Sequence, residues 1–163
     1  IFVDNTASEV IANEYARYLE HNVGVVTCNK IACADSLRNY VNLKKIARKY
    51  RAPFLFETNV GAGLPVIDTL NNLIASGDKI HKIQAVLSGS LNFIFNAFYH
   101  RSCFFTTFVL EAQEKGFTEP DPKIDLSGVD VARKILILAR ESGLQIELND
   151  IDNQSFLPLE PYN

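Results

Sequence analysis

Val23-Gly24-Val25-Val26-Thr27-Cys28-Asn29-Lys30 is a short apolar run that ends abruptly on an amide and a lysine. Residues 23–28 read as a short buried strand. Upstream of it, Val10, Ile11, Tyr15, Tyr18 and Leu19 form an apolar stripe that predicts a helix over 8–20. Ile1-Phe2-Val3-Asp4 before that helix reads as another strand. Downstream, Leu37, Tyr40, Val41, Lys44 and Ala47 predict a second helix over 35–50, and Phe54-Leu55-Phe56-Glu57 a third strand. This β-α-β-α-β alternation implies an α/β fold, a parallel sheet with right-handed crossovers. Three parallel strands alone leave an exposed sheet edge and an uncovered face, so the unit reads as half of something larger.

Past Gly63 the pattern changes. Pro65 sits at a plausible first helical position, opening an amphipathic helix over 65–76. A partly alternating strand is predicted over 80–87, helices over 91–99 and 106–115, and a helix over 127–142 ended by Gly143. The chain therefore splits near residue 60 into a doubly wound fragment and an α+β unit. Exposed sheet edges and the strand at 80–87 point to a dimer.

The 163 residues are 47% hydrophobic and 21% charged, a globular composition. Net charge is −3 with no long basic run, which argues against nucleic acid as a partner. No apolar run approaches the roughly 20 residues needed to span a bilayer, and no secretion signal is read at the N-terminus. Cys28, Cys33 and Cys103, odd in number and irregularly spaced, fit reduced thiols in a cytoplasmic protein. With His21, His81 and His100 scattered, a transition-metal site is not expected.

Ligands of open parallel sheets bind beyond the carboxyl ends of the strands. Here those ends carry Asp4-Asn5-Thr6, Asn29-Lys30 and Glu57-Thr58-Asn59. Asn, Asp and Thr also cap helices, so capping and binding both stay open for Asn5, Thr6 and Ser8. Lys30 points to function, because a cation directly after a buried strand is oddly placed for solubility alone. Val60-Gly61-Ala62-Gly63-Leu64-Pro65 resembles the start of a dinucleotide fingerprint but lacks its third glycine, Val66 standing there instead. Tight turns at its glycines beside Glu57 can chelate a hard monovalent cation through oxygen, or simply make an interdomain turn. Leu87-Ser88-Gly89-Ser90-Leu91-Asn92 is a strand-to-helix junction whose N–H groups suit a carboxylate, with an N-cap at Ser88 or Ser90 as the plain reading.

The densest chemistry lies in Gly116-Phe117-Thr118-Glu119-Pro120-Asp121-Pro122-Lys123-Ile124-Asp125-Leu126-Ser127-Gly128-Val129-Asp130-Val131-Ala132-Arg133-Lys134. Pro120 and Pro122 hold Glu119 and Asp121 extended. Ser127-x-x-Asp130 has the form of a capping box and predicts a helix start near Ser127. Asp130 and Lys134 then share a helical face. The plain reading of that pair is an exposed ion pair worth a few tenths of a kcal/mol, roughly. Lys134 sits in a run apolar on nearly every face, however, where desolvation lowers a lysine pKa and a nearby carboxylate raises it. Together with Glu119 and Asp125, this favours a proton-transferring lysine beside an acidic cradle for a substrate ammonium.

Thr118-Glu119-Pro120-Asp121-Pro122, Asp125-Leu126-Ser127-Gly128 and Asp130-Val131-Ala132-Arg133-Lys134 closely resemble the signature of the homoserine dehydrogenase family. Val3-Asp4-Asn5-Thr6, Thr27-Cys28-Asn29-Lys30, Val60–Pro65 and Leu87–Asn96 agree in order, so the resemblance runs from residue 1 to about 142. It is nearest the dehydrogenase part of bifunctional aspartokinase–homoserine dehydrogenases. It implies a partial Rossmann-like half over 1–60 and a substrate-binding and dimerisation domain over 61–163, incomplete at its C-terminus. It implies NAD- or NADP-dependent interconversion of L-homoserine and L-aspartate 4-semialdehyde, in threonine and methionine biosynthesis, by a homodimer. By position, Lys134 and Lys30 handle protons and Asp130 orients Lys134. Glu119 and Asp125 grip the substrate ammonium, and Gly89 and Ser90 lie near the substrate. Asn5, Thr6 and Lys30 face the nicotinamide. Glu57 with the carbonyls of Val60, Ala62 and Leu64 matches the family's sodium site. The family's Gly-rich pyrophosphate turn is not in these residues, so weak or absent cofactor binding by this chain is expected, and a non-catalytic dimerising fragment is the alternative. Phe117 stands where many members have tyrosine, and residues 99–108 are more apolar than usual.

Overall fold

A computed structural model of the chain describes residues 1–157. They divide into two compact units: Ile1–Ile83 with Arg133–Ile151, and Gln84–Ala132 with the described residues from Asp152 onward. In the first unit, β1 (Phe2–Asp4), β2 (Val25–Thr27) and β3 (Phe54–Leu55) form one parallel sheet in the order β1-β2-β3, as the alternation predicts. Val3 pairs with Val26 and Val26 with Leu55. Successive strand residues face opposite sides, and burial obeys that rule. Val25 and Thr27 are buried, whereas Val3, Val26 and Leu55 are 58%, 37% and 53% exposed. The uncovered face expected from the sequence is this apolar stripe. The other face packs against α2 (Tyr15–Glu20) and α4 (Leu37–Tyr50), whose Tyr15, Leu19, Leu43 and Ala47 form a core with Val25.

Several elements are shorter than the sequence pattern predicts. The helix over 8–20 is two, α1 (Glu9–Ala12) and α2. Between them the Glu14 N–H reaches only three residues back, to the Ile11 carbonyl at 3.1 Å, which tightens the turn. An unpredicted turn, α3 (Ile31–Ala34), begins directly after Lys30. α4 starts after Ser36, which accepts from the Asn39 N–H. The third strand stops at Leu55, and Glu57 instead opens a 3₁₀ turn, Glu57–Asn59, ahead of α5 (Val66–Ala75).

The strand predicted over 80–87 is absent: residues 78–88 carry no regular structure. A strand exists only where its N–H and C=O groups meet a partner strand. Among the described residues no strand pairs with this run, and Val86 is 77% exposed. One of the two sequence arguments for a dimer is thereby removed.

Buried charge fastens Arg133–Ile151 into the first unit. Arg140, 4% exposed, donates to the carbonyls of Cys33 (3.0 Å), Asp35 (2.6 Å) and Ile146 (3.1 Å) and to the Glu147 carboxylate (2.9 Å). Glu147 in turn accepts from the Leu37 N–H at 2.9 Å, at the start of α4. Glu141 is buried and accepts from Lys44 at 2.7 Å and from the Tyr40 hydroxyl.

In the second unit, α6 (Gly89–His100) packs on α7 (Phe105–Glu114) around Ile94, Phe108 and Ala112. Asp121 is extended, as the proline after it requires, with φ −103° and ψ 106°. The chain then enters a short helix, α8 (Pro122–Leu126), rather than a loop. Pro122 fits its first turn, and Asp121 caps it by accepting from the Lys123 N–H at 3.0 Å. α9 (Val129–Glu141) starts past Ser127, where the pattern predicts its start: Gly128, at φ +75°, intervenes, and the Ser127 hydroxyl accepts from the Val129 N–H at 3.3 Å. Gly143 ends α9 as predicted: its N–H bonds to the Arg140 carbonyl and that of Leu144 to Ala139, each at 3.0 Å. α9 contributes its first turn to the second unit and Arg133–Glu141 to the first.

A Cβ added at Gly128 would lie 2.5 Å from Asn153 Oδ1, which belongs to a side chain donating to the Ser127 carbonyl at 3.0 Å. Left-handed backbone and this contact add, so Gly128→Ala should destabilise the chain by about 1–3 kcal/mol. Urea denaturation measures it.

Candidate active site

Asp4, Thr27 and Asn29, at the carboxyl edge of the sheet, are buried, each 2% exposed. The Asp4 carboxylate accepts from the Thr6 N–H at 2.8 Å, from the Asn29 amide at 3.1 Å and from the Tyr15 hydroxyl. Burial pushes the Asp4 carboxyl up, but these donors outweigh it and hold it below the ordinary carboxylate value. Thr27 Oγ1 lies 2.7 Å from the Tyr15 hydroxyl and accepts from the Asn29 N–H at 2.8 Å. Asn29 also donates to the Ser8 carbonyl and accepts from the Ile31 N–H. On this framework Asn5 and Thr6 are exposed at the end of β1, and Lys30 is half-buried where α3 begins. Ser8 caps α1 by accepting from the Ile11 N–H, so the capping role is realised there.

Tyr15 and Tyr40 are both buried against carboxylates, Asp4 and Glu141. Burial first, and the carboxylate second, push both hydroxyls above the ordinary tyrosine value. As pH rises past about 10, the unfolded chain ionises these groups and the folded chain does not. Their contribution is therefore complete below that pH and is lost above it. The Tyr15→Phe/Tyr40→Phe double variant should show a shallower alkaline fall in unfolding free energy, by about 1 kcal/mol per pH unit for each tyrosine. Denaturant titrations at stepped alkaline pH test this.

At the glycine turn, Gly61 (φ +85°) and Ala62 (φ +53°) are left-handed. The Glu57 carboxylate accepts from the Ile67 and Asp68 N–H groups, each at 2.8 Å, and so covers the N-terminus of α5. The Leu64 carbonyl accepts from the Val66 N–H at 2.9 Å, and Val60 is buried. Among the described residues no group of three or more His, Cys, Asp or Glu is placed to hold a metal, and no helix is long and apolar enough to cross a membrane.

In the second unit, Ser88 caps α6, accepting from the Leu91 N–H at 3.2 Å, and its hydroxyl lies 2.9 Å from that of Ser90. Ser90 is buried and donates to Asp125 Oδ1 at 2.6 Å. Asp125 Oδ2 accepts from the Glu119 N–H at 2.9 Å. Asp125 thus ties the start of α6 to the Glu119-Pro120 segment, while Glu119 and Gly89 are exposed. Three of the residues assigned to substrate (Glu119, Asp125 and Ser90) are in contact here. Asp130 and Lys134 are half-buried, one turn apart on α9. Lys134 is not immersed in bulk water, in keeping with the apolar run around it.

Two members of the edge network escape the sequence pattern. Tyr15 reads there as one more apolar residue of a helix, and Asn29 as a turn residue. The available signal is that a buried tyrosine hydroxyl needs a partner, and Asp4 ends the neighbouring strand.

Residues 65–163 match the family model described as homoserine dehydrogenase, and residues 1–57 match that described as homoserine dehydrogenase, NAD binding domain. A bifunctional aspartokinase/homoserine dehydrogenase of Haemophilus influenzae is 50% identical over 158 residues, 97% of this chain and 19% of that protein. A crystal structure of a Candida auris protein of unknown function aligns with a TM-score of 0.89 at 36% identity, over 96% of this chain and 45% of that one. A hyperthermophilic archaeal homoserine dehydrogenase in complex with NADPH aligns with a TM-score of 0.77 at 31% identity, over 86% of this chain and 42% of that one. The chain spans less than half the length of each of these relatives. With one family model covering most of its length and a second the sheet that precedes it, the chain belongs to the homoserine dehydrogenase family.

Proposed function

We propose that these residues serve the NADP- or NAD-dependent interconversion of L-homoserine and L-aspartate 4-semialdehyde. The observation that carries this reading is Asp125 fixed between Ser90 Oγ and the Glu119 N–H. A carboxylate offers about four acceptor sites, so those two bonds leave others for a substrate ammonium, with Glu119 supplying a second, exposed carboxylate. Lys134, half-buried, takes the hydroxyl proton as the alcohol is oxidised and returns it in reverse, with Lys30 as the second proton-handling group. Asp130 orients Lys134 from one helical turn away.

Asn5, Thr6 and Lys30 stand where dinucleotides bind open sheets, and their small polar side chains and cation fit a nicotinamide end. When bound, the cofactor supplies the hydride acceptor. The meeting of the two family models between residues 57 and 65 supports a nucleotide half over 1–60 and a substrate half beyond it. The left-handed turn at Gly61 and Ala62 supports a sodium site at Glu57, Val60, Ala62 and Leu64. The free thiols of Cys28, Cys33 and Cys103 suit a reducing compartment, which we take to be the cytoplasm. The exposed sheet edges support a homodimer.

The test is L-homoserine-dependent reduction of NADP and of NAD by a protein bearing these residues, monitored by absorbance. A rate no greater with L-homoserine than without it would remove the assignment.

A further inference from the structure

We infer that Tyr15 is a positioning residue: its hydroxyl locks the two strand-end turns that carry Asn5-Thr6 and Asn29-Lys30. The proton inventory admits one arrangement. Asp4 is an ionised acceptor, so the single Tyr15 proton goes to Asp4 Oδ2. The contact of 2.7 Å between Tyr15 and Thr27 must then be a donation from Thr27, whose oxygen in turn accepts the Asn29 N–H at 2.8 Å. Both protons of the Asn29 amide are also used, on Asp4 at 3.1 Å and on the Ser8 carbonyl at 3.0 Å. Asp4 Oδ1 holds the Thr6 N–H at 2.8 Å. One phenol thereby closes a loop through β1, β2 and the turn after each. Its ring is fully buried between Phe2 and Phe54, with edge contacts at centroid distances of 6.4 and 5.9 Å, so the hydroxyl has little freedom to move.

Loss of that hydroxyl frees the Asp4 and Thr27 side chains to turn. The Thr6 and Asn29 N–H groups they hold then loosen, and with them the segments bearing Asn5 and Lys30. The consequence for ligand binding rests on the nicotinamide-facing role proposed above for those residues.

The experiment compares Tyr15→Phe with Tyr40→Phe. The second variant removes an equivalent buried hydroxyl–carboxylate bond, to Glu141, in the same unit. It is therefore a matched control for lost stability. Hydrogen exchange read by NMR should show the Thr6 and Asn29 amides exchanging at least tenfold faster in Tyr15→Phe than in Tyr40→Phe. Titration with NADPH into the millimolar range should show at least fivefold weaker binding for Tyr15→Phe, with Tyr40→Phe within twofold of the unaltered chain. Thr27→Val, which keeps the Tyr15–Asp4 bond, should loosen Asn29 but not Thr6, and it serves if Tyr15→Phe does not fold. Equal exchange in the two tyrosine variants, or equal loosening of both amides in Thr27→Val, would overturn the inference; undiminished NADPH binding by Tyr15→Phe with the exchange contrast intact would count against the nicotinamide-facing role instead. Absent NADPH binding by the unaltered chain is what residues without the pyrophosphate turn are expected to show, and the exchange contrast then decides the lock by itself.

Discussion

Lys134→Ala should lower homoserine turnover by about two to four orders of magnitude, the range that a positioned acid–base group supplies. The hydroxyl proton has to leave as hydride departs, and a neutral amine held at a fixed place to receive it lowers that barrier, the ammonium so formed returning the proton in the reverse direction. Lys134 suits the task because α9 is apolar around it: Leu136, Ile137 and Leu138 are buried, and the lysine itself is half-buried. Helix propensity does not suffer, since alanine is the better helix former. Circular dichroism and the urea midpoint should therefore stay close to those of the unaltered protein while kcat collapses. Arginine at this position should rescue little, because a guanidinium does not give up its proton. A Lys134→Ala protein with near-normal kcat would take the lysine out of the chemistry.

The largest effect on stability is expected from Arg140→Ala, about 3–5 kcal/mol. The guanidinium satisfies three backbone carbonyls and one carboxylate, and its side chain is fully buried. Truncation strands the buried Cys33 carbonyl without a donor, and a buried orphan costs about 1–3 kcal/mol. It also leaves a void over the Tyr40 ring, whose centroid is 5.4 Å from the guanidinium carbon. Lysine cannot repair the loss, having no planar fork to reach carbonyls on two sides at once. Chemical denaturation of Arg140→Ala and Arg140→Lys reads both statements. A loss below about 1 kcal/mol for alanine, the upper end of what an exposed pair contributes, would show the site to be far wetter than its burial indicates.

The sheet was legible because its physics is local. Each strand is a short apolar run, each helix carries a stripe, and their alternation leaves little choice of topology. The features that escaped depend on partners that the pattern does not name. Ile80–Leu87 has strand-like residues, but pairing decides a strand and no described strand meets it. Pro122 reads as a loop residue because proline stops a helix, yet at a first turn it starts one. Ser127 has the spacing of a capping box, and Gly128 in a left-handed conformation moved the helix start past it. The site divides the same way. Asp125 and Ser90 were assigned through motif residues 35 apart in sequence, and the hydrogen bond between them comes from the fold. Tyr15 hid in an apolar stripe because pattern counts its ring and ignores its hydroxyl.

The bare stripe of Val3, Val26 and Leu55 makes the two sides of one short sheet answer differently to the same chemical change. A hydroxyl in place of a methyl at Val25, which is fully buried, enters a close-packed interior with no partner and should cost about 1–3 kcal/mol. The same exchange at Val26, its immediate neighbour in sequence, meets water and should cost less than about 0.5 kcal/mol. Comparing the urea midpoints of Val25→Thr and Val26→Thr therefore measures how lopsided the sheet is, with strand propensity held constant because both residues are β-branched.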